Sequence, residues 1–104
     1  MGAPPQLTPE ERAEALAKAK ASRQHRATIK AQVKDGKLSI NQVLQMAESD
    51  EVIAKMRVLE LVESMSGVGK VRGKAILEKL NISLTRRLQG LGKHQIKDLV
   101  AEFT

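Results

Sequence analysis

The 104-residue sequence predicts an all-α protein, one long N-terminal helix followed by a compact bundle of short helices. Three observations lead there. Apolar residues recur at i, i+3, i+4 and i+7 in two separate stretches, Ile40-Val43-Leu44-Ala47 and Ile96-Leu99-Val100-Phe103. Alternation at period two never persists, so no strand is needed. No Gly or Pro falls between Pro9 and Gly36, which leaves a long segment free to be helical.

That first helix begins at Thr8-Pro9-Glu10-Glu11, where a capping hydroxyl, a proline at the first helical position and a carboxylate placed for a capping box coincide. Ala13, Ala15, Ala17, Ala19, Ala21 and Ala27, strong helix formers, carry it to about Val33. Between Glu10 and Arg26 its only large apolar side chain is Leu16, so that half has little to hold it to a core, whereas Ile29 and Val33 can pack. The chain therefore divides into residues 1–33, a disordered start and a long, basic, partly projecting helix, and residues 34–104, a compact helical domain. Asp35-Gly36-Lys37 is a turn, and Ser39 with Gln42 caps a second helix. Ser49-Asp50 starts a short third from Glu51 to about Lys55. Val58, Leu61, Val62 and Met65 mark a fourth that Gly67 and Gly69 end. A fifth, from about Lys70 to Leu80, is expected to bury Val71, Ala75, Ile76 and Leu80, and Asn81 suits a left-handed stop. Ser83 is expected to open one further helical turn through Arg86 and Arg87, before a last helix from about Lys93 to Phe103.

Composition narrows the function. There is no Cys, Trp or Tyr, which excludes disulfides, thiolate metal sites and cysteine nucleophiles. No apolar run approaches the ~20 residues that span a bilayer, and the start lacks the features of a signal peptide, so a cytoplasmic protein with no membrane partner is expected. Lys and Arg total 18 against 12 Asp and Glu, a net charge of +6. Residues 1–30, 31–65 and 66–104 carry +3, −2 and +5, so the positive charge lies at the two ends. That favours a polyanionic partner.

Ser66-Gly67-Val68-Gly69-Lys70, between two helices, is the most informative local feature. Two glycines let the backbone turn sharply, and the following helix N-terminus offers unpaired N–H groups and partial positive charge, the makings of a phosphate seat to which Lys70, Arg72 and Lys74 add full charges. An ordinary tight turn with Gly67 as a C-cap fits the same residues, and both readings stay open at this point. The spacing is neither that of a nucleotide-binding P-loop nor that of a dinucleotide-binding fingerprint. The second constellation is Thr85-Arg86-Arg87-Leu88-Gln89-Gly90-Leu91-Gly92-Lys93. Adjacent arginines on a helix point in different directions, so both are used only against a concave charged surface such as a DNA groove, where the flat guanidinium fits; a solvated pair is the alternative. Gly92 before Lys93 offers another helix N-terminus. His25 and His94 have no acidic or histidine partner at metal-ligand spacing, so no metal, cofactor or catalytic triad is expected, and Asp50-Glu51 reads as helix capping.

The line from Val62 through Ser66-Gly-Val-Gly-Lys-Val-Arg-Gly-Lys-Ala-Ile-Leu-Glu to Leu80-Asn-Ile resembles the helix-two-turns-helix segment of the ribosomal small-subunit protein thirteen family, with related segments in formamidopyrimidine-type DNA glycosylases. With Leu7 to Arg12, Ala47 to Met56 and Thr85 to Gly92 added, nearly the whole chain resembles the actinobacterial (mycobacterial-type) integration host factors. The resemblance implies a non-enzymatic, nucleoid-associated protein with a helix-two-turns-helix DNA-binding segment. It implies binding to double-stranded DNA with little sequence preference, bending or compacting it, and an influence on DNA topology and phage integration. On that footing Gly67, Val68, Gly69, Lys70, Arg72 and Lys74 approach phosphates, and Arg86, Arg87, Gln89, Gly90, Gly92 and Lys93 complete the interface. Gln89 stands where the family commonly has a third arginine. Lys18, Lys20, Arg23, Arg26, Lys30, Lys55 and Arg57 form a possible second DNA contact, and the free protein is expected to be monomeric. The alternative is a binder of structured RNA or of the ribosome, against which the chain lacks the long basic C-terminal tail of the ribosomal family. A small glycosylase is a third reading, for which no catalytic constellation is found.

Overall fold

The structure, a computed structural model, describes residues 7–103; the expected disordered start lies outside them. It is all-helical: α1 (Pro9–Lys34), α2 (Ile40–Ala47), α3 (Glu51–Ala54), α4 (Val58–Glu63), α5 (Gly69–Lys79), a single 3-10 turn at Leu88–Gly90, and α6 (Lys93–Glu102).

The caps are where the sequence places them. Thr8 Oγ1 accepts from the Glu11 N–H at 3.1 Å while Glu11 Oε1 accepts from the Thr8 N–H, and Ser39 and Gln42 repeat the arrangement at α2. Asp50 Oδ1 accepts from the first-turn N–H groups of Val52 and Ile53, which lets a helix of four residues start. Each such cap is worth about 1 kcal/mol.

At 26 residues, or about 39 Å, α1 is by far the longest element. Ile29 and Val33, one turn apart, are its only buried side chains, and residues 9–21 are exposed throughout, Leu16 at 65%. The C-terminal third of α1 is thus held by packing and the rest by its own hydrogen bonds. The core lies among α2 to α6 and is aliphatic; Val43, Ile53, Val58, Leu61, Leu77 and Leu99 are fully buried. Burying each is worth about 1.5–3 kcal/mol.

Two local expectations are corrected. Val71 is 87% exposed and Ala75 is exposed; the buried face of α5 is Gly73, Ile76 and Leu77, with Leu80 half-buried. Those positions follow i, i+3, i+4 and i+7 once the glycine is counted. A Cβ at Gly73 would stand 3.2 Å from Glu63 Cγ, so this glycine lets α5 close on α4 and fixes which face turns inward. The second correction concerns Ser83 to Arg87: a single turn closes from Arg86 N–H to Ser83 O at 3.0 Å, but no helix runs on through Arg87. Arg87 pairs with Arg57 in an isolated antiparallel β-bridge, bounded by Val58 N–H to Arg86 O and Leu88 N–H to Met56 O, both 2.9 Å. Ile82 and Leu88, each buried, anchor the segment at both ends, and past the turn the Arg86 carbonyl and the Leu88 N–H bond across to Val58 and Met56.

Candidate nucleic-acid interface

Between α4 and α5 the chain makes its glycine turn. Gly67 and Gly69 have φ of +78° and +71°, and no protein atom outside their immediate neighbours lies within 4 Å of where a Cβ would stand. The glycines are therefore required by backbone conformation and not by crowding within the chain, and their outward side is bare backbone. Val68 is half-buried against the core and pins the turn, its N–H donating to Met65 O at 3.1 Å. No side chain caps α5, so its first-turn N–H groups face outward beside exposed Lys70, with Arg72 and Lys74 exposed further along. Arg72 reaches back to Gly67 O only at 3.5 Å. The end of α1 closes the other side: Lys34 shares one concavity with Ser66, Gly67 and Gly69, and Lys30 and Lys34 share the next with Lys70. Lys34 escaped the sequence-based expectation, which ended the helix at about Val33 and gave this lysine no role. Proximity across 32 residues or more leaves no trace in local spacing.

The arginine pair is not on a helix. In extended chain, consecutive side chains point to opposite faces, and the two arginines separate accordingly. Arg86 folds over the 3-10 turn, its Nη1 donating to Gly90 O at 3.0 Å with its stem against Gly90. Arg87 turns into a basin of about 400 Å³ lined also by Arg26, Lys55, Arg57 and Glu60. Gln89 and Gly90 are exposed on the 3-10 turn, and Gly92 donates its N–H to Gln95 Oε1 at 3.0 Å before exposed Lys93 opens α6.

The anticipated site residues therefore fall into different groups than their order suggests. Lys30 joins the glycine turn. Arg87 joins Arg26, Lys55 and Arg57. Lys18, Lys20 and Arg23 stay on the exposed shaft of α1, outside both concavities. Glu60 lines the concavities on both sides, so the two basic surfaces adjoin, separated by its ion pair with Lys30 at 2.8 Å.

Among the described residues, Lys30, Lys55 and Lys79 are neutralised by carboxylates, whereas Arg26, Arg57, Lys70, Lys74 and Arg87 have no such partner. No group of three potential metal ligands occurs among them. His25 does have an acidic neighbour: its Nε2 lies 2.7 Å from Asp50 Oδ2, tying α1 to the cap of α3. That contact spans 25 residues and so was invisible to spacing. Burial alone would raise the Asp50 carboxyl; the bonds from His25, Ile53 and Val52 and the charge of His25 outweigh it and hold the group below its ordinary value.

Residues 33–103 match the S13-like H2TH domain family. The integration host factor of Streptomyces coelicolor is 50% identical over 99 residues, which span 95% of this chain and 92% of that protein. The integration host factor of Mycobacterium tuberculosis is also 50% identical, over 95% of this chain and 94% of that one. The chain belongs to the actinobacterial integration host factor family. A solved member of this family, sIHF bound to an 8 bp palindromic DNA, superposes with a TM-score of 0.83 at 45% identity, covering 85% of this chain and 99% of that one. The family resemblance drawn from separated motifs thus holds along nearly the full length. The glycine turn, the arginine pair and the α4–α5 junction all lie inside the matched domain.

Proposed function

We propose that this integration host factor is a non-enzymatic, nucleoid-associated protein that binds double-stranded DNA with little sequence preference. The single feature that carries the proposal is the glycine turn. It offers bare backbone and the side-chain-free N-terminus of an eleven-residue helix, flanked by Lys34, Lys70 and Arg72 from two directions. That is the chemistry of a phosphate seat, and it reads no base. The complex of sIHF with DNA supports the same partner here. Arg86, Gln89 and Lys93, grouped about Gly90, present a second set of donors of the kind a minor groove accepts, and Arg26, Lys55, Arg57 and Arg87 a third. Contacts on more than one surface bend a duplex or bridge two, and so act on DNA topology, compaction and phage integration in the nucleoid.

The test is affinity for a random-sequence duplex as a function of salt. The logarithm of the association constant should fall linearly with that of the salt concentration, at about −0.9 per phosphate neutralised, and alike for unrelated sequences. Affinity that ignores salt would overturn the proposal. The match to an S13-like domain keeps structured RNA as the second reading. Competition between duplex DNA and structured RNA of equal length separates the two.

A further inference from the structure

Arg57 and Arg87 oppose one another across the β-bridge. The bonds bounding them run from Val58 to Arg86 and from Leu88 to Met56, which makes them a non-hydrogen-bonded pair. That is the closer of the two antiparallel arrangements, with Cα atoms about 4.5 Å apart and both side chains on one face. Like charges so placed repel. The bridge cannot slip to relieve them, because Met56, Val58 and Leu88 beside it are 1%, 0% and 4% exposed. Nor do the described residues pair these arginines with a carboxylate. Glu60, the one acid on the basin wall, is held by Lys30, and Glu51 pairs only with Lys55. Arg26 adds a third uncompensated guanidinium from α1.

We propose that Arg26, Lys55, Arg57 and Arg87 form a site for a compact oligophosphate, the diphosphate or triphosphate group of a free nucleotide or of an inorganic phosphate chain, distinct from the glycine turn. Charge density favours such a ligand over one strand of DNA. A strand brings one charge per ~3.4 Å of axis, so a phosphodiester in the basin offsets one guanidinium of three. A diphosphate places several charges within the same 400 Å³. Guanidinium forks on a backbone held by the bridge suit it, since each planar head takes two phosphate oxygens and loses less freedom per bond formed than an ammonium does. Binding of the anion stands apart from the DNA reading. Its consequence rests on that reading: a bound oligophosphate takes Arg87 away from a duplex and weakens that part of the grip.

The experiment is titration of the isotope-labelled full-length protein with sodium pyrophosphate at constant ionic strength, followed by amide shifts, with orthophosphate as the control. Saturable one-site binding is expected, with the largest shifts at residues 56–58 and 86–88 and at least tenfold weaker binding of orthophosphate. The double variant Arg57→Gln, Arg87→Gln should bind at least tenfold more weakly, and Lys70→Gln with Arg72→Gln should bind as wild type. Arg26→Gln lies outside the bridge and should weaken binding severalfold, which keeps the test decisive if the double variant is unfolded. Non-saturating shifts over all basic residues, or equal loss in the glycine-turn variant, would overturn the site. Tripolyphosphate and ATP then distinguish the source: equal affinity points to the phosphate chain alone, tighter ATP to a nucleotide, and binding of neither rejects both. If pyrophosphate fills the basin yet duplex affinity is unchanged, the anion site stands and the DNA role of Arg87 falls.

Discussion

At Gly67 and Gly69 a side chain meets no neighbour but faces a forbidden backbone, since both have φ near +75°. Gly67→Ala should therefore lower stability by about 1–2 kcal/mol without a steric defect, and Gly67→Asn by less, because Asn tolerates the left-handed region. Thermal unfolding of the two variants measures this; equal losses would point to a clash instead. Asp50 carries a different burden, capping α3 while holding His25 of α1. Its carboxyl is held below the ordinary value, so its contribution is fully present above about pH 4 and is lost as pH falls through the lowered folded value. Asp50→Asn, which keeps the cap, should flatten the loss of stability below about pH 4, and Asp50→Ala should cost about 1 kcal/mol at neutral pH. Denaturant melts of the three proteins across that range check both.

Elements were legible where the signal is local. The caps at Thr8, Ser39 and Asp50 and the stripe of α2 follow from spacing alone, because side chain and backbone partner lie within three residues. The inward face of α5 was misjudged because Gly73, which counts as no hydrophobe, leads its stripe, and what turns it inward is Glu63 on another helix. The extended path of Arg86 and Arg87 was hidden for the same reason: its hydrogen bonds close on residues about 30 positions earlier. The bareness of α1, by contrast, was readable in its lack of large apolar side chains, and it carries a prediction. Ile29→Ala should cost about 2–5 kcal/mol, whereas Leu16→Ala, at 65% exposure, should stay within about 0.5 kcal/mol. Hydrogen exchange of the free protein should protect the amides around Ile29 and Val33 well above those of residues 9–21; uniform protection would mean that the outer half has a partner in solution.

At the scale of the whole molecule, the candidate site is assembled by tertiary structure from pieces that sequence order misgroups. The glycine turn acquires Lys34 from α1, Arg87 acquires Arg57 and Arg26, and the Lys30–Glu60 pair stands between the two surfaces. If both surfaces hold one duplex, the DNA must be long enough to reach them. The two surfaces adjoin, and the whole protein measures 51 Å along its greatest dimension, so about 15 base pairs at ~3.4 Å each is more than enough to reach both. On a duplex of twice that length, Lys70→Gln with Arg72→Gln and, separately, Arg57→Gln with Arg87→Gln should each lower affinity and each reduce the salt slope by about 0.9 for every phosphate that is no longer neutralised. The combined variant should show the sum of the two effects in free energy, since separate surfaces act independently. On a duplex too short to span both, one pair of substitutions should dominate and the other fall silent. Anisotropy titrations of the four proteins at three salt concentrations and two DNA lengths decide the matter. Equal effects at both lengths would place the two surfaces on a single stretch of backbone, and with that the mechanical basis for bending by this chain would be gone.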